Sequence, residues 1–218
     1  MDNTTALWFC TTMTRRVPDE KVRAPMPYTV LTVCTGNICR SPAAAALLAG
    51  RLDDSVRVSS AGTGALVGHP VPERMAELVA AAGGDVSRFA ARQATPEMIR
   101  EADLILALTV RHRAWVVDQV PAAVRRTLTL RELGRLVGTI PAGAFDPSAL
   151  PDDAARLAAL VPLALGERPR HAGARHDDDV VDPYGRPASA YRASFDQITE
   201  GLAPLLRAIR PRPRWPSL

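Results

Sequence analysis

Tyr28-Thr29-Val30-Leu31-Thr32-Val33-Cys34-Thr35-Gly36-Asn37-Ile38-Cys39-Arg40-Ser41-Pro42 is the stretch on which the reading of the fold turns. Its first six residues are apolar or β-branched, as a buried strand requires. The run that follows, Ala43-Ala44-Ala45-Ala46-Leu47-Leu48-Ala49, is an excellent helix former. Strand, tight loop and helix therefore succeed one another. Backbone N–H groups of the loop and the helix N-terminus converge on one point, a geometry that holds a tetrahedral oxyanion. A thiol, Cys34, sits at its base.

Each residue of the loop has a chemical reason to be there. Cysteine is a useful nucleophile only as thiolate, a form favoured by a helix N-terminus and a nearby cation; the helix opening at Pro42 and Arg40 would supply both. The planar fork of Arg40 can hold two oxygens of a phosphoryl group, which a lysine could not. Gly36 permits a turn through positive φ and a close approach to an anion. Asn37 tolerates left-handed geometry, and its amide can brace the loop from outside. Ser41 is a preferred N-cap, Pro42 suits the first helical turn, and the Ser41 hydroxyl can donate to the Cys34 sulfur.

The segment Val30 to Pro42 resembles the signature of the low-molecular-weight protein tyrosine phosphatases. Their second signature, Asp-Pro-Tyr, is present as Asp182-Pro183-Tyr184. Between the two, Ser60-Ala61-Gly62-Thr63, Ala91-Arg92-Gln93 and Ala102-Asp103-Leu104-Ile105-Leu106 fall in the family's order, so the similarity covers residues 28 to 138 and 177 to 208. It implies in-line attack by Cys34 and a phosphocysteine intermediate. Arg40, Thr35, Gly36, Asn37, Ile38, Cys39 and Ser41 would surround the phosphoryl group, and Asp182 would act as general acid on a mobile loop. Asp146-Pro147 is a decoy, being followed by Ser148 rather than tyrosine. Leu66 stands where many members place an aromatic wall, which leaves Tyr184 as the main one. That version resembles the bacterial enzymes paired with tyrosine autokinases of exopolysaccharide synthesis. The partner implied is a phosphotyrosine-containing protein, such a kinase among them, acted on by a monomer needing no cofactor and no metal.

Rival readings on the same fold are a protein arginine phosphatase, a thiol-assisted arsenate reductase and a non-enzymatic phosphotyrosine-binding module. Arginine phosphatases resemble a loop with threonine where Ile38 stands, and the apolar Ile38 suits a phenyl ring better. No cysteine follows Cys39, so a reductase with its own later cysteine pair is excluded. A binding module has no need of Cys34 and Asp182 together. Cys39 is either a packing residue or a partner that forms a protective disulfide with Cys34.

Composition agrees with an ordinary globule. The chain has 218 residues, 47% of them hydrophobic, enough for one domain with a substantial core. Its net charge of +4 comes from scattered arginines, with Lys21 the only lysine, and no basic stripe with interleaved aromatics marks nucleic-acid binding. No run is apolar for long enough to insert in a membrane. Three cysteines, two within one loop, are no secreted disulfide framework, so a reducing cytoplasm is expected. Residues 1–25 read as an extension or an upstream-start artefact, and 26–218 as one domain.

Alternating patterns predict strands at Val56–Ser60, Leu104–Leu108 and Thr127–Leu130. Helices are predicted at Pro72–Ala82, from Pro96 behind a Thr95 cap, and at Arg111–Gln119, Arg131–Val137 and Ala188–Ile209. The fold class expected is α/β, three layers around a four-stranded parallel sheet of order 2-1-3-4, with the site at the strands' carboxyl ends. Residues 139–176 read as an insertion with one helix near Asp152–Leu163, either a surface loop or a flap over the site. Asp177-Asp178-Asp179 reads as a solvated acidic loop. His69 and His112 read as structural or exposed, and His171 and His176 beside the acids match no known ligand spacing.

Overall fold

Strand β1 (Tyr28–Cys34) is flanked by β2 (Val56–Gly62) and β3 (Leu104–Ala107), and β4 (Thr127–Thr129) pairs with β3. The computed structural model describes residues 26–171 and 177–210; the expectations for residues 1–25 and for His176 lie outside them. All pairings are parallel and the order is β2-β1-β3-β4, as the alternation of strands and helices requires.

Side chains alternate across the sheet and feed two cores. Val30, Leu104 and Leu106 face the larger one, with α1 (Arg40–Ala49), α2 (Glu73–Ala81), α5 (Leu130–Gly138), α6 (Asp153–Glu167) and α7 (Ala188–Ala208). Leu31, Val33 and Ile105 face the smaller one, with Ile99 of α3 (Pro96–Glu101) and Val116 of α4 (Val110–Gln119). Burial on both faces explains why β3 reads as an unbroken apolar run. Tyr191, Phe195, Ile198, Leu202 and Leu205 form the buried stripe of α7, as their spacing predicts. Helices α5 and α7 cross at Gly134 and Gly201, where a Cβ on Gly134 would overlap the Gly201 carbonyl.

Leu130 belongs to α5, not to β4. Thr129 caps the helix, accepting from the Glu132 N–H at 3.1 Å, while Glu132 accepts from the Thr129 N–H at 3.3 Å. This capping box starts the helix one residue earlier than the apolar pattern alone indicates. The interval 139–171 is more than a surface loop, and none of it lines the cleft around Cys34. Its helix α6 buries Leu157, Leu160, Val161 and Ala164 in the main core. One end is tied below the sheet, where the Asp153 N–H donates to Asp53 at 3.1 Å and the Asp53 N–H donates back to Asp153 at 3.0 Å. At the other end Arg168 grips Glu132 with two bonds, 2.8 and 3.1 Å. Among the described residues, the strands' carboxyl ends are left open.

Candidate active site

The loop from Cys34 to Arg40 joins β1 to α1 at that open end. Its carbonyls are turned outward, because the next loop is zipped to them: Thr63, Gly64 and Leu66 N–H groups donate to Cys34, Thr35 and Gly36 at 2.9, 3.1 and 3.0 Å. The close approach needs Gly62, where a Cβ would strike the Thr35 carbonyl. Among the described residues, no N–H of residues 35–39 donates to a protein acceptor. Cys39, at the cap position of α1, offers no side-chain cap either. Donors are thus gathered facing one way, the arrangement that binds an anion.

Asn37 is the conformational pivot. It holds φ 54°, and it is the loop's residue in the left-handed region; Gly36 does not take a positive φ. What glycine provides at 36 is space, since a Cβ there would sit 3.5 Å from Ile38 Cγ1 and 3.9 Å from Leu66 Cγ and narrow the cleft between them. The Asn37 amide stabilises its own backbone by donating to Ser41 Oγ and Ser60 Oγ, both at 2.9 Å, and accepting from the Arg92 N–H at 2.9 Å. Gln93 next door braces Ala65 and Thr63. Ser41 is not the N-cap, because α1 has already begun at Arg40. Its hydroxyl accepts from Asn37, leaving its proton for the Cys34 sulfur 3.0 Å away.

Arg40 is only 5% exposed. Its Nη1 donates to the Val180 carbonyl at 3.2 Å and its Nη2 to Asp182 Oδ2 at 2.7 Å. The Tyr184 N–H closes a turn on Asp182 Oδ1 at 3.2 Å. Cys34, Thr35, Gly36, Ile38, Cys39, Arg40, Leu66, Asp182 and Tyr184 line one cleft of about 180 Å³, joined by Gly64, which sequence reasoning passed over. Asn37 and Ser41 stand directly behind it, so every predicted residue is brought to one place. A larger cleft of about 620 Å³ runs beside β2 and contains none of the residues Cys34 to Ser41. Asp146 caps Ser148 in a separate turn and lines no part of the cleft around Cys34. Burial pushes the Cys39 thiol up to about 12, so it stays protonated.

The segment carrying Asp182 is fastened at several points: Asp177 and Asp179 are exposed, as a solvated acidic loop predicts, yet each carboxylate of the run has a partner. Arg131 and Arg135 of α5 pair with Asp177 and Asp178 at 3.1 and 3.0 Å. Asp179 accepts from the Val110 N–H at 2.7 Å, the Val180 N–H donates to Leu108 at 2.9 Å, and the Val181 N–H donates to Gln197 at 2.8 Å. His112 is buried, with Nε2 2.8 Å from Thr35 Oγ1 and Nδ1 2.9 Å from Thr109 Oγ1. Burial, and then the charge of Arg40, lower its pKa from 6.5 to about 4. The cap-like Thr109-x-x-His112 spacing was the available signal, but nothing local links it to Thr35.

A family profile described as low molecular weight phosphotyrosine protein phosphatase matches residues 29–149. The protein-arginine-phosphatase of Geobacillus stearothermophilus is 31% identical over 79% of this chain and 90% of its own length. The probable low molecular weight protein-tyrosine-phosphatase EpsP of Ralstonia nicotianae is 41% identical over 48% of this chain and 72% of its own. Among solved structures, the YwlE arginine phosphatase from Geobacillus stearothermophilus superposes with TM-score 0.58 at 28% identity, covering 83% of this chain and 92% of that one. The Erwinia amylovora tyrosine phosphatase amsI, at 22% identity, shares the fold with TM-score 0.60 over 85% and 95% of the two chains. A thiol and an arginine around an open ring of amides agree with these likenesses, and the chain belongs to the low molecular weight phosphotyrosine protein phosphatase family.

Proposed function

We propose that this phosphatase hydrolyses phosphotyrosine in proteins through a phosphocysteine intermediate. One observation carries the reading: the Arg40 fork reaches Asp182 at the mouth of the cleft that holds Cys34. Cys34 attacks phosphorus in line as the thiolate while the bond to the phenolic oxygen breaks; Asp182, released from Arg40 as the phosphoryl oxygens take the fork and entering the step as the carboxylic acid, gives that oxygen its proton. Arg40 and the loop amides hold the equatorial oxygens, where charge develops. In the second step Asp182 takes a proton from water, the water oxygen attacks phosphorus, and the P–S bond breaks to release inorganic phosphate. The Val180 carbonyl keeps hold of Nη1 throughout, so the fork is oriented before substrate arrives. Ser41 steadies the departing thiolate.

Ile38 and Leu66 meet over Gly36 as an apolar slot, with Tyr184 exposed at its rim, and a phenyl ring fits this better than a guanidinium. Phosphoarginine remains the second reading because the relative followed over nine-tenths of its length carries that activity in its name. The partner we infer is a tyrosine-phosphorylated protein, a bacterial tyrosine kinase among them, met by a monomer in a reducing cytoplasm; three cysteines, two of them within one loop, support that compartment. Phosphate release from matched phosphotyrosine and phosphoarginine peptides tests the choice. Cys34→Ser should abolish turnover, and Ile38→Thr should move preference toward phosphoarginine. Wild-type preference for phosphoarginine, or full activity in Cys34→Ser, would overturn the reading.

A further inference from the structure

The junction of β3 with α4 touches both halves of the site. Thr109 Oγ1 accepts from the His112 N–H at 3.1 Å as the cap of α4 and lies 2.9 Å from His112 Nδ1. His112 Nε2 lies 2.8 Å from Thr35 Oγ1, beside the nucleophile, so each ring nitrogen is bonded to one threonine hydroxyl. Two residues before His112, the Val110 N–H takes the Asp179 carboxylate, favoured there by the helix dipole. Leu108, one residue before the cap, accepts from the Val180 N–H, and the Val180 carbonyl holds Arg40. The nucleophile loop and the acid segment are thus fastened to the same five residues, 108–112, from opposite sides.

We propose that this junction sets the separation between Cys34 and Asp182, with His112 and Asp179 as positioning residues that act through Thr35 and through the acid segment. The proposal rests on the phosphatase reading above. Its two arms carry different kinetic signatures. Asp179 governs where the proton donor stands, so its loss matters when the leaving group needs a proton and little when it does not. His112 governs the oxyanion cradle, so its loss weakens phosphate binding whatever the leaving group.

The experiment compares phenyl phosphate, whose phenolate leaves poorly, with p-nitrophenyl phosphate, using the full chain, and measures inorganic phosphate affinity by calorimetry. Asp179→Ala should lower kcat on phenyl phosphate on the order of tenfold, with little change on p-nitrophenyl phosphate or in phosphate affinity. His112→Ala should raise KM for both substrates and the phosphate Kd on the order of tenfold, leaving the ratio of the two kcat values as in wild type. His112→Gln, whose amide N–H can reach Thr35, should restore most of the affinity. Equal losses on both substrates in Asp179→Ala, an unchanged phosphate Kd in His112→Ala, or no rescue by glutamine would each overturn the proposal. A wild type that turns over neither aryl phosphate would instead sink the phosphotyrosine reading, and the calorimetric arm would still judge His112.

Discussion

Replacing His112 by glutamine should change how stability depends on pH, and the size of the change follows from the burial of the ring. In the folded chain its pKa lies at about 4 rather than 6.5, because of burial first and the Arg40 charge second; Asp179 and Asp182 pull upward, and Arg111 adds slightly to the lowering. Between those two values the unfolded chain binds a proton that the folded chain does not, so stability rises with pH across the window. The contribution is fully present above pH 6.5 and is lost as pH falls toward 4. At about pH 5 the loss comes to about 2 kcal/mol, approaching about 3 kcal/mol below the folded value. Glutamine has no proton to gain. Near neutral pH the variant should be about 1 kcal/mol less stable, for imperfect hydrogen bonding to Thr35 and Thr109. The two curves should cross near about pH 6, and by about pH 5 wild type should be about 1 kcal/mol the less stable of the two. Urea unfolding followed by far-UV circular dichroism at a series of pH values reads the difference, and carboxylates common to both chains cancel in it. Parallel stability curves for the two chains would refute the buried neutral imidazole.

Three further expectations test the scaffold. Gly134→Ala should lower stability by about 1–3 kcal/mol through overpacking at the α5–α7 crossing, seen as a lower Tm, with kcat unchanged at temperatures where the chain is folded. Asn37→Ala should lose both the left-handed backbone and the three bonds of the amide, cutting kcat on the order of tenfold or more; Asn37→Gly should recover backbone strain only, giving a higher Tm than alanine without its activity. Replacing residues 139–176 by a short linker should cost several kcal/mol, roughly the burial of three or four aliphatic side chains, because α6 packs in the core. KM for small aryl phosphates should stay as it was, and a large KM change in a folded deletion variant would support the flap.

What could be read without the fold was whatever lies close together in the chain. The strand, the loop and the helix around Cys34 are contiguous, and each demand of that loop is met by a residue type with few substitutes: a thiol, a donor fork, a side chain that accepts left-handed φ. The Thr95 cap and the stripe of α7 were legible for the same local reason. Positions within the loop were less so. Positive φ fell on Asn37 rather than Gly36, because the amide of Asn37 finds three partners that hold it there.

Tertiary structure decided everything that depends on distant segments meeting. Asp182 reaches Arg40 across 142 positions of sequence, and His112 reaches Thr35 across 77. The acidic run looked like solvated surface because its partners, Arg131, Arg135 and the Val110 amide, belong to helices that only the sheet order brings alongside. Segment 139–176 carried helix signals but no sign of which face it would cover. Sequence by itself determined the anion cradle and its thiol, since backbone geometry and side-chain chemistry act over neighbours. Packing alone brought Asp182 and the cradle together, since the two segments that carry them are far apart in the chain and both bond to the β3–α4 junction.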